Sequence, residues 1–299
     1  MKNKELSLLV LLLGMSFGAS ADTDAIRAAN NQAGLQYVNS NVNYTETFPG
    51  GAKADTERGH VPGFGVSASV MKDIFLGNDY VEAQFSRLNG NTHYVGSSQT
   101  PTVLSPTGIG TYGSLTQSDG AQITDFSVRY GKAFEVQGRY LVTPFAEAGY
   151  HEWKRILRAS CGAGVVASCG STEDYTNGYL GLGVMGQVSP AEHWVLTANA
   201  LIGMTISSNI SVKGGPILLA AVGTAEGSAG LGNSPIYRLG LGADYAFTKQ
   251  FHANVGVDYV DFEYGKSGNF ALGSPGPTVY EPDSTSKYTT INVGLGYAF

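Results

Sequence analysis

Apolar and polar residues alternate with period two along ten stretches of the chain, the spacing that places successive side chains on opposite faces of a β-strand. The last stretch is the clearest. Ile291, Val293, Leu295, Tyr297 and Phe299 fall on one face, and Thr290, Asn292, Gly294, Gly296 and Ala298 fall on the other. Phe251, Ala253, Val255, Val257 and Tyr259 oppose His252, Asn254, Gly256 and Asp258 in the same way. Tyr237, Leu239, Leu241, Ala243, Tyr245 and Phe247 oppose Arg238 and Asp244. Further back, Trp194 to Met204 alternates against Thr197 and Asn199, and Tyr140 to Tyr150 against Thr143, Glu147 and His151. Phe126, Val128 and Tyr130 oppose Asp125, Ser127 and Arg129; Val81, Ala83 and Phe85 oppose Glu82, Gln84 and Ser86. Phe64 to Val70 alternates against Ser67 and Ser69. Two stretches are less regular. Tyr175 to Gln187 is rich in Gly, and between Gly34 and Thr45 the residues Leu35, Tyr37, Val42 and Tyr44 do not share one face.

Each stretch is about as long as a tilted strand must be to cross the hydrocarbon layer. Charged residues fall on the less apolar face, and aromatic residues gather near the ends, as in membrane girdles. The connections alternate in length. Those near 46–61, 89–121, 153–174, 206–234 and 265–286 are long, and those near 72–78, 134–138, 188–192 and 248–250 are short. Short periplasmic turns and long external loops are the asymmetry of outer-membrane barrels. The pattern predicts an all-β fold: a transmembrane antiparallel up-and-down β-barrel of ten strands over residues 33–299, with both termini in the periplasm.

The N-terminus agrees with export. Lys2 and Lys4 precede an apolar run from Leu6 to Met15 that is too short to span a bilayer, and Ala19-Ser20-Ala21 gives a small-x-small cleavage pattern. Residues 1–21 therefore read as a cleaved signal peptide, and 22–32 as a short periplasmic lead. No cysteine follows the cut, which excludes a lipoprotein. The full chain carries net charge −6, and losing two lysines and one glutamate with the signal makes it −7, with no sign of a nucleic-acid partner. Beyond the signal no apolar run reaches helical spanning length. Charged residues make up only 14%, while Gly (41) and Tyr (17) are abundant, as expected where lipid-facing and lumen-facing residues alternate. Cys161 and Cys169 close a short loop and, in an exported chain, read as a disulfide, worth roughly 2.5 kcal/mol at most by chain entropy. No cofactor is implied.

Glu82, Asp125, Arg129, Glu147, Arg238, Asp244 and Asp258 fall on the lumen face. They form either a charged gate along a narrow ion path or a set of salt bridges filling a small barrel, since charges in such an interior must be paired or wetted. Lys154, Arg155 and Arg158 follow the fifth strand at the height of the outer leaflet. There they meet lipopolysaccharide phosphates, or form a solvated loop base. Asp258, Asp261 and Glu263 gather near the outer end of the ninth strand, where they act as general acid and base, bind calcium, or form a solvated rim. Pro216 to Val222 is an apolar loop segment that folds over the mouth, dips into lipid, meets a partner, or extends a strand.

The segment Asn292-Val293-Gly294-Leu295-Gly296-Tyr297-Ala298-Phe299 resembles the signal read by the outer-membrane barrel assembly machinery: Asn292, then Gly294, then the aromatics Tyr297 and Phe299. With the signal peptide, it makes the chain similar to the broad superfamily of small outer-membrane barrels, OmpA-type, opacity-type and omptin-like. That resemblance implies contact with outer-membrane lipid and lipopolysaccharide and assembly by that machinery. Strand count and length also resemble the omptins, surface proteases whose catalytic set is two acidic pairs at the rim, one including Asp-x-His. The external loops here contain no Asp-x-His, and the second loop offers only Asp119. None of His60, His93, His151, His193 or His252 has a Ser partner that the sequence identifies, as a barrel lipase would need. The expectation is a non-enzymatic surface barrel with a structural, adhesive or porin-like role; the alternative is a hydrolase at the rim.

Overall fold

The structure, a computed structural model, describes residues 23–96, 111–157, 171–215, 225–274, 276 and 278–299. A short helix, α1 (Thr23–Ala29), precedes β1 (Gln32–Thr47), β2 (Lys53–Lys72), β3 (Asp79–Gly96), β4 (Leu115–Lys132) and β5 (Phe134–Val136). Then come β6 (Tyr140–Leu157), β7 (Ser171–Ala191), β8 (Trp194–Lys213), β9 (Glu226–Gly232), β10 (Pro235–Ala246) and β11 (Phe251–Tyr264). The two-residue strands β12 (Phe270–Ala271) and β13 (Thr278–Val279) precede β14 (Asp283–Ala298). Each wall strand pairs antiparallel with the next in sequence, and β14 pairs with β1 through Leu35↔Leu295 and Tyr37↔Val293, which closes the sheet. β9 and β10 together make one wall strand. β9 pairs with the upper part of β8 and β10 with the lower part. Ser234 staples the break between them, its amide donating to Thr205 Oγ1 at 2.8 Å and its hydroxyl to the Glu263 carbonyl at 2.5 Å. The result is a closed antiparallel barrel of ten strands. No edge is left to aggregate, and every ladder group can be satisfied inside lipid.

The outward face carries the apolar belt. Leu182, Leu295 and Leu35 are 68%, 66% and 61% exposed, values that only a lipid surround makes favourable. At the end bearing both termini, aromatic rings form a girdle: Trp194 lies 4.9 Å from Tyr245, and Phe251 lies 5.5 Å from Tyr297. Phe299 is exposed on the same end.

Two features of the pattern resolve in the structure. The strands reach 20 residues in β2 and 21 in β7, about twice what the bilayer needs, so the expected long loops are largely strand. Between β1 and β2 only residues 48–52 remain as connection. The irregular first stretch is one unbroken strand. Leu35 and Tyr37 face outward within the belt, whereas Val42 and Tyr44 face inward and are fully buried. Above the bilayer the outside of the barrel meets water, so the apolar side of the strand switches to the interior.

Candidate functional site

Closing the sheet creates a lumen, and it is filled in three tiers. The uppermost, at the loop end, is an apolar and aromatic core to which every wall strand contributes. Val42 and Tyr44 of β1, Val61 of β2, Leu88 of β3 and Ile123 of β4 meet Trp153 of β6 and Tyr175 of β7. Ile210 of β8, Leu231 of β9, Ile236 of β10, Phe262 and Tyr264 of β11 and Tyr288 of β14 close the ring. Leu272, beside β12, adds to it from above. Trp153 stacks on Tyr175 at 5.7 Å and meets the edge of Tyr44 at 4.8 Å. Side chains from every wall strand converge at this level.

Set into that core is Arg155, 1% exposed. Its Nε donates to Glu57 at 2.6 Å, its Nη1 to Glu46 at 2.7 Å and to Glu173 at 2.9 Å, and its Nη2 to Asp55 at 3.2 Å. The guanidinium also sits 4.8 Å from the Tyr44 ring. A planar fork with five donors is the side chain suited to several carboxylates at once. A further acid, Glu281, descends from the segment between β13 and β14 and accepts from Tyr175 at 2.6 Å and Tyr44 at 3.2 Å. Burial, with Glu46 and Glu173 nearby, holds the Glu281 carboxyl well above the usual range. Burial likewise pushes Glu173 up to about 7.

The middle tier is a network of charges. Arg129 donates to Glu147 at 2.8 Å and pairs with Glu82 at 3.2 Å, its guanidinium lying 4.1 Å from the Phe145 ring. Glu147 also accepts from Tyr179 at 2.7 Å and from Arg238, which donates to Tyr179 as well. Asp258 accepts from Asn292 at 3.2 Å. Asp125 pairs with His151 Nδ1 at 2.7 Å, and His151 Nε2 lies 3.2 Å from the Tyr288 hydroxyl. Around this network are two cavities of about 120 and 190 Å³ that share Gln36, Gln84, Arg238, Asp258 and Asn292 as lining. At roughly 30 Å³ per molecule they have room for on the order of ten waters.

The lowest tier is a stopper. Ile26 of α1 is fully buried among Met71, Tyr80, Leu141, Phe145 and Met185. Asn30 and Gln187 exchange hydrogen bonds at 2.7 and 3.0 Å, and Arg27 donates to Asn78 at 2.7 Å. Gln32 donates to Asp244 at 3.2 Å, and Asp244 pairs with His252 at 2.6 Å. The polar lead thus runs into the barrel mouth and is fastened there.

Glu82, Asp125, Arg129, Glu147, Arg238, Asp244 and Asp258 all face the lumen, most of them in direct pairs. Arg155 corrects the expectation of a phosphate contact. It shares the inward parity of Glu147, His151 and Trp153, so it cannot face lipid alongside Lys154. Lys154 does face outward, 3.6 Å from Glu152 and 3.4 Å from Asp174. The group Asp258, Asp261 and Glu263 is also divided. Asp258 faces the lumen, while Asp261 faces out and pairs with Lys287 at 3.1 Å. Tyr297 and Phe299 face outward at the terminus end. Asn292 faces Asp258, and Gly294 sits where a Cβ would stand 2.6 Å from the Leu35 carbonyl. Arg158, Cys161, Cys169 and the segment Pro216 to Val222 lie outside the described residues. Among the described residues no cluster of His, Cys, Asp or Glu is arranged to hold a metal ion.

The carboxylates around Arg155 escaped the sequence reading because it ended each strand at the expected membrane boundary. Continuing the parity would have found them. Asp55 and Glu57 lie an even number of residues from Ser67, and Arg155 lies eight from Glu147.

No protein-family model matches the chain, and no curated protein matches it by sequence. Among solved structures, the outer membrane protease OmpT from Escherichia coli aligns with 95% of this chain and 99% of its own, at 12% identity and a TM-score of 0.55. The translocator domain of the autotransporter NalP from Neisseria meningitidis aligns with 98% and 97%, at 12% identity and a TM-score of 0.36. The fold is that of the small outer-membrane β-barrels. At such identities the likeness concerns the fold alone, and the tiers of the lumen are read from this chain's own residues.

Proposed function

We propose that the protein is a closed outer-membrane barrel without catalytic activity that displays five loops at the cell surface, with both termini in the periplasm, in an adhesive or envelope-structural role. The observation that carries this reading is the filled lumen. An apolar core drawn from every wall strand lies above the charge network, and a fastened helix lies below it. Flow of solutes through the barrel would require both to move, which argues against a porin-like role. Against a rim enzyme, Glu46, Asp55, Glu57 and Glu173 at the loop end are tied to Arg155, and the His151–Asp125 pair sits beneath Trp153 with its second ring nitrogen against Tyr288. Lys154 and Arg87 remain on the outward face of the loop half and suit lipopolysaccharide phosphates. The C-terminal segment from Asn292 to Phe299 serves as the address for the assembly machinery.

The test is adhesion. Cells displaying the protein should bind a matrix or glycan surface that parent cells do not. Trimming residues 97–110 and 158–170 should abolish that binding, while Glu82→Gln leaves it intact. Binding that is equal for trimmed and full-length protein, or hydrolytic turnover that disappears with His151→Ala, would overturn the reading.

A further inference from the structure

The turn from β2 to β3 displays three consecutive large apolar side chains to the outside. Phe75 is 81% exposed, Leu76 59% and Ile74 46%. The turn backbone is held by side chains from three elements. The amides of Ile74, Phe75 and Leu76 donate to Asp79 Oδ2 at 2.9, 2.7 and 3.0 Å, and Tyr130 of β4 donates to Asp79 Oδ1 at 2.6 Å. Lys132 donates to the Leu76 carbonyl at 2.6 Å, and Arg27 of α1 reaches Asn78. A backbone fixed this firmly while its apolar side chains stand free is a platform for contact. In the neighbouring turn, Phe134 and Val136 of β5 are also exposed, and Lys132 Nζ lies 5.7 Å from the Phe134 ring, joining the two turns into one patch. The remaining turns at this end have polar tips, Glu192 and His193 after β7 and Thr248, Lys249 and Gln250 after β10, where the single apolar residue, Phe247, packs 5.2 Å from Tyr245 of the girdle instead of extending an apolar run. The patch is therefore one-sided.

We propose that these two turns form an apolar foot that inserts into the phospholipid leaflet at the terminus end, at the boundary between headgroups and acyl chains. The argument is continuity with the lipid-facing wall. The Phe75 ring lies 6.5 Å from that of Tyr130, which is on the outward face of β4 with Phe126 and Val128. Lys72 and Lys132 share this outward parity at the rim, where long cationic side chains lay their stems on apolar surface and hold their ammonium groups among headgroups. The foot gives the β2–β6 side a deeper hold on that leaflet than the β8–β11 side, whose girdle ends in polar turns.

The experiment is depth-dependent quenching. Phe75→Trp is introduced with Trp194→Phe, leaving Trp153 in the core, and the mature chain is refolded into phosphatidylcholine vesicles carrying bromine at known acyl positions. Lys249→Trp in the same background reports a polar turn. Lipid bromine near the headgroups should quench position 75 several-fold more than position 249, and acrylamide should show the reverse order. Leu76→Trp repeats the measurement should Phe75→Trp fail to refold. Acrylamide quenching at position 75 equal to that at 249 would overturn the proposal. So would protection from acrylamide without bromine quenching, since a second copy or another protein would then cover the patch.

Discussion

Replacing Arg155 with methionine will destabilise the loop half of the barrel by about 3–5 kcal/mol at neutral pH, the usual cost of removing one partner from a buried ion pair. Methionine matches much of the side-chain volume and leaves Glu46, Asp55, Glu57 and Glu173 facing one another without their guanidinium. The urea midpoint of protein refolded in vesicles reports the loss. A specific pH dependence accompanies it. Glu173 rises from 4.5 to about 7 on folding, so the folded state holds the proton more tightly than the unfolded chain. For a carboxyl raised in this way, stability is greatest below 4.5 and is lost as pH climbs through about 7. The wild-type protein should therefore lose stability across that window, and Glu173→Gln should flatten the decline. Acidification should also restore part of what Arg155→Met removes. A methionine variant as stable as wild type at pH 8 would show that the cluster is hydrated and its charges screened.

Glu147→Gln is the second large effect. Glu147 is buried and accepts from Arg129, Arg238 and Tyr179, so it neutralises two guanidinium groups in a low-dielectric interior. Glutamine keeps the shape and removes the charge, leaving Glu82 and Asp258 to serve both arginines. A cost of about 3–5 kcal/mol is expected here too. Coupling distinguishes this from a simple packing defect. Adding Arg238→Met to Glu147→Gln should recover part of the loss, because one unmatched cation is removed with the anion. Additive losses in the double variant would mean that the two residues act independently.

The barrel was legible in the sequence because period-two alternation survives wherever one face meets lipid and the other a polar lumen. The stretches from Tyr237 to Phe247, Phe251 to Tyr259 and Ile291 to Phe299 show it residue by residue. Legibility failed where the outside of the wall changes from lipid to water. Val42 and Tyr44 looked out of register for that reason, although their parity with Gln36 is continuous. Arg155 was misread for the same reason: its neighbour Lys154 does face outward, and only the parity of β6 separates them. The tie between Glu281 and Tyr175 spans 106 residues and joins a loop segment to a strand, so no local pattern announces it. The stopper was equally hidden. A polar lead of eleven residues gives little sign that Ile26 is its anchor.

The central claim is that this lumen is closed, and single-channel recording of the refolded mature protein in a planar bilayer tests it most directly. Protein shown to be folded by its heat-modifiable migration should leave the bilayer silent. Steady, reproducible current steps would contradict the account, because ions would then be crossing both the aromatic core around Trp153 and the helix anchored by Ile26.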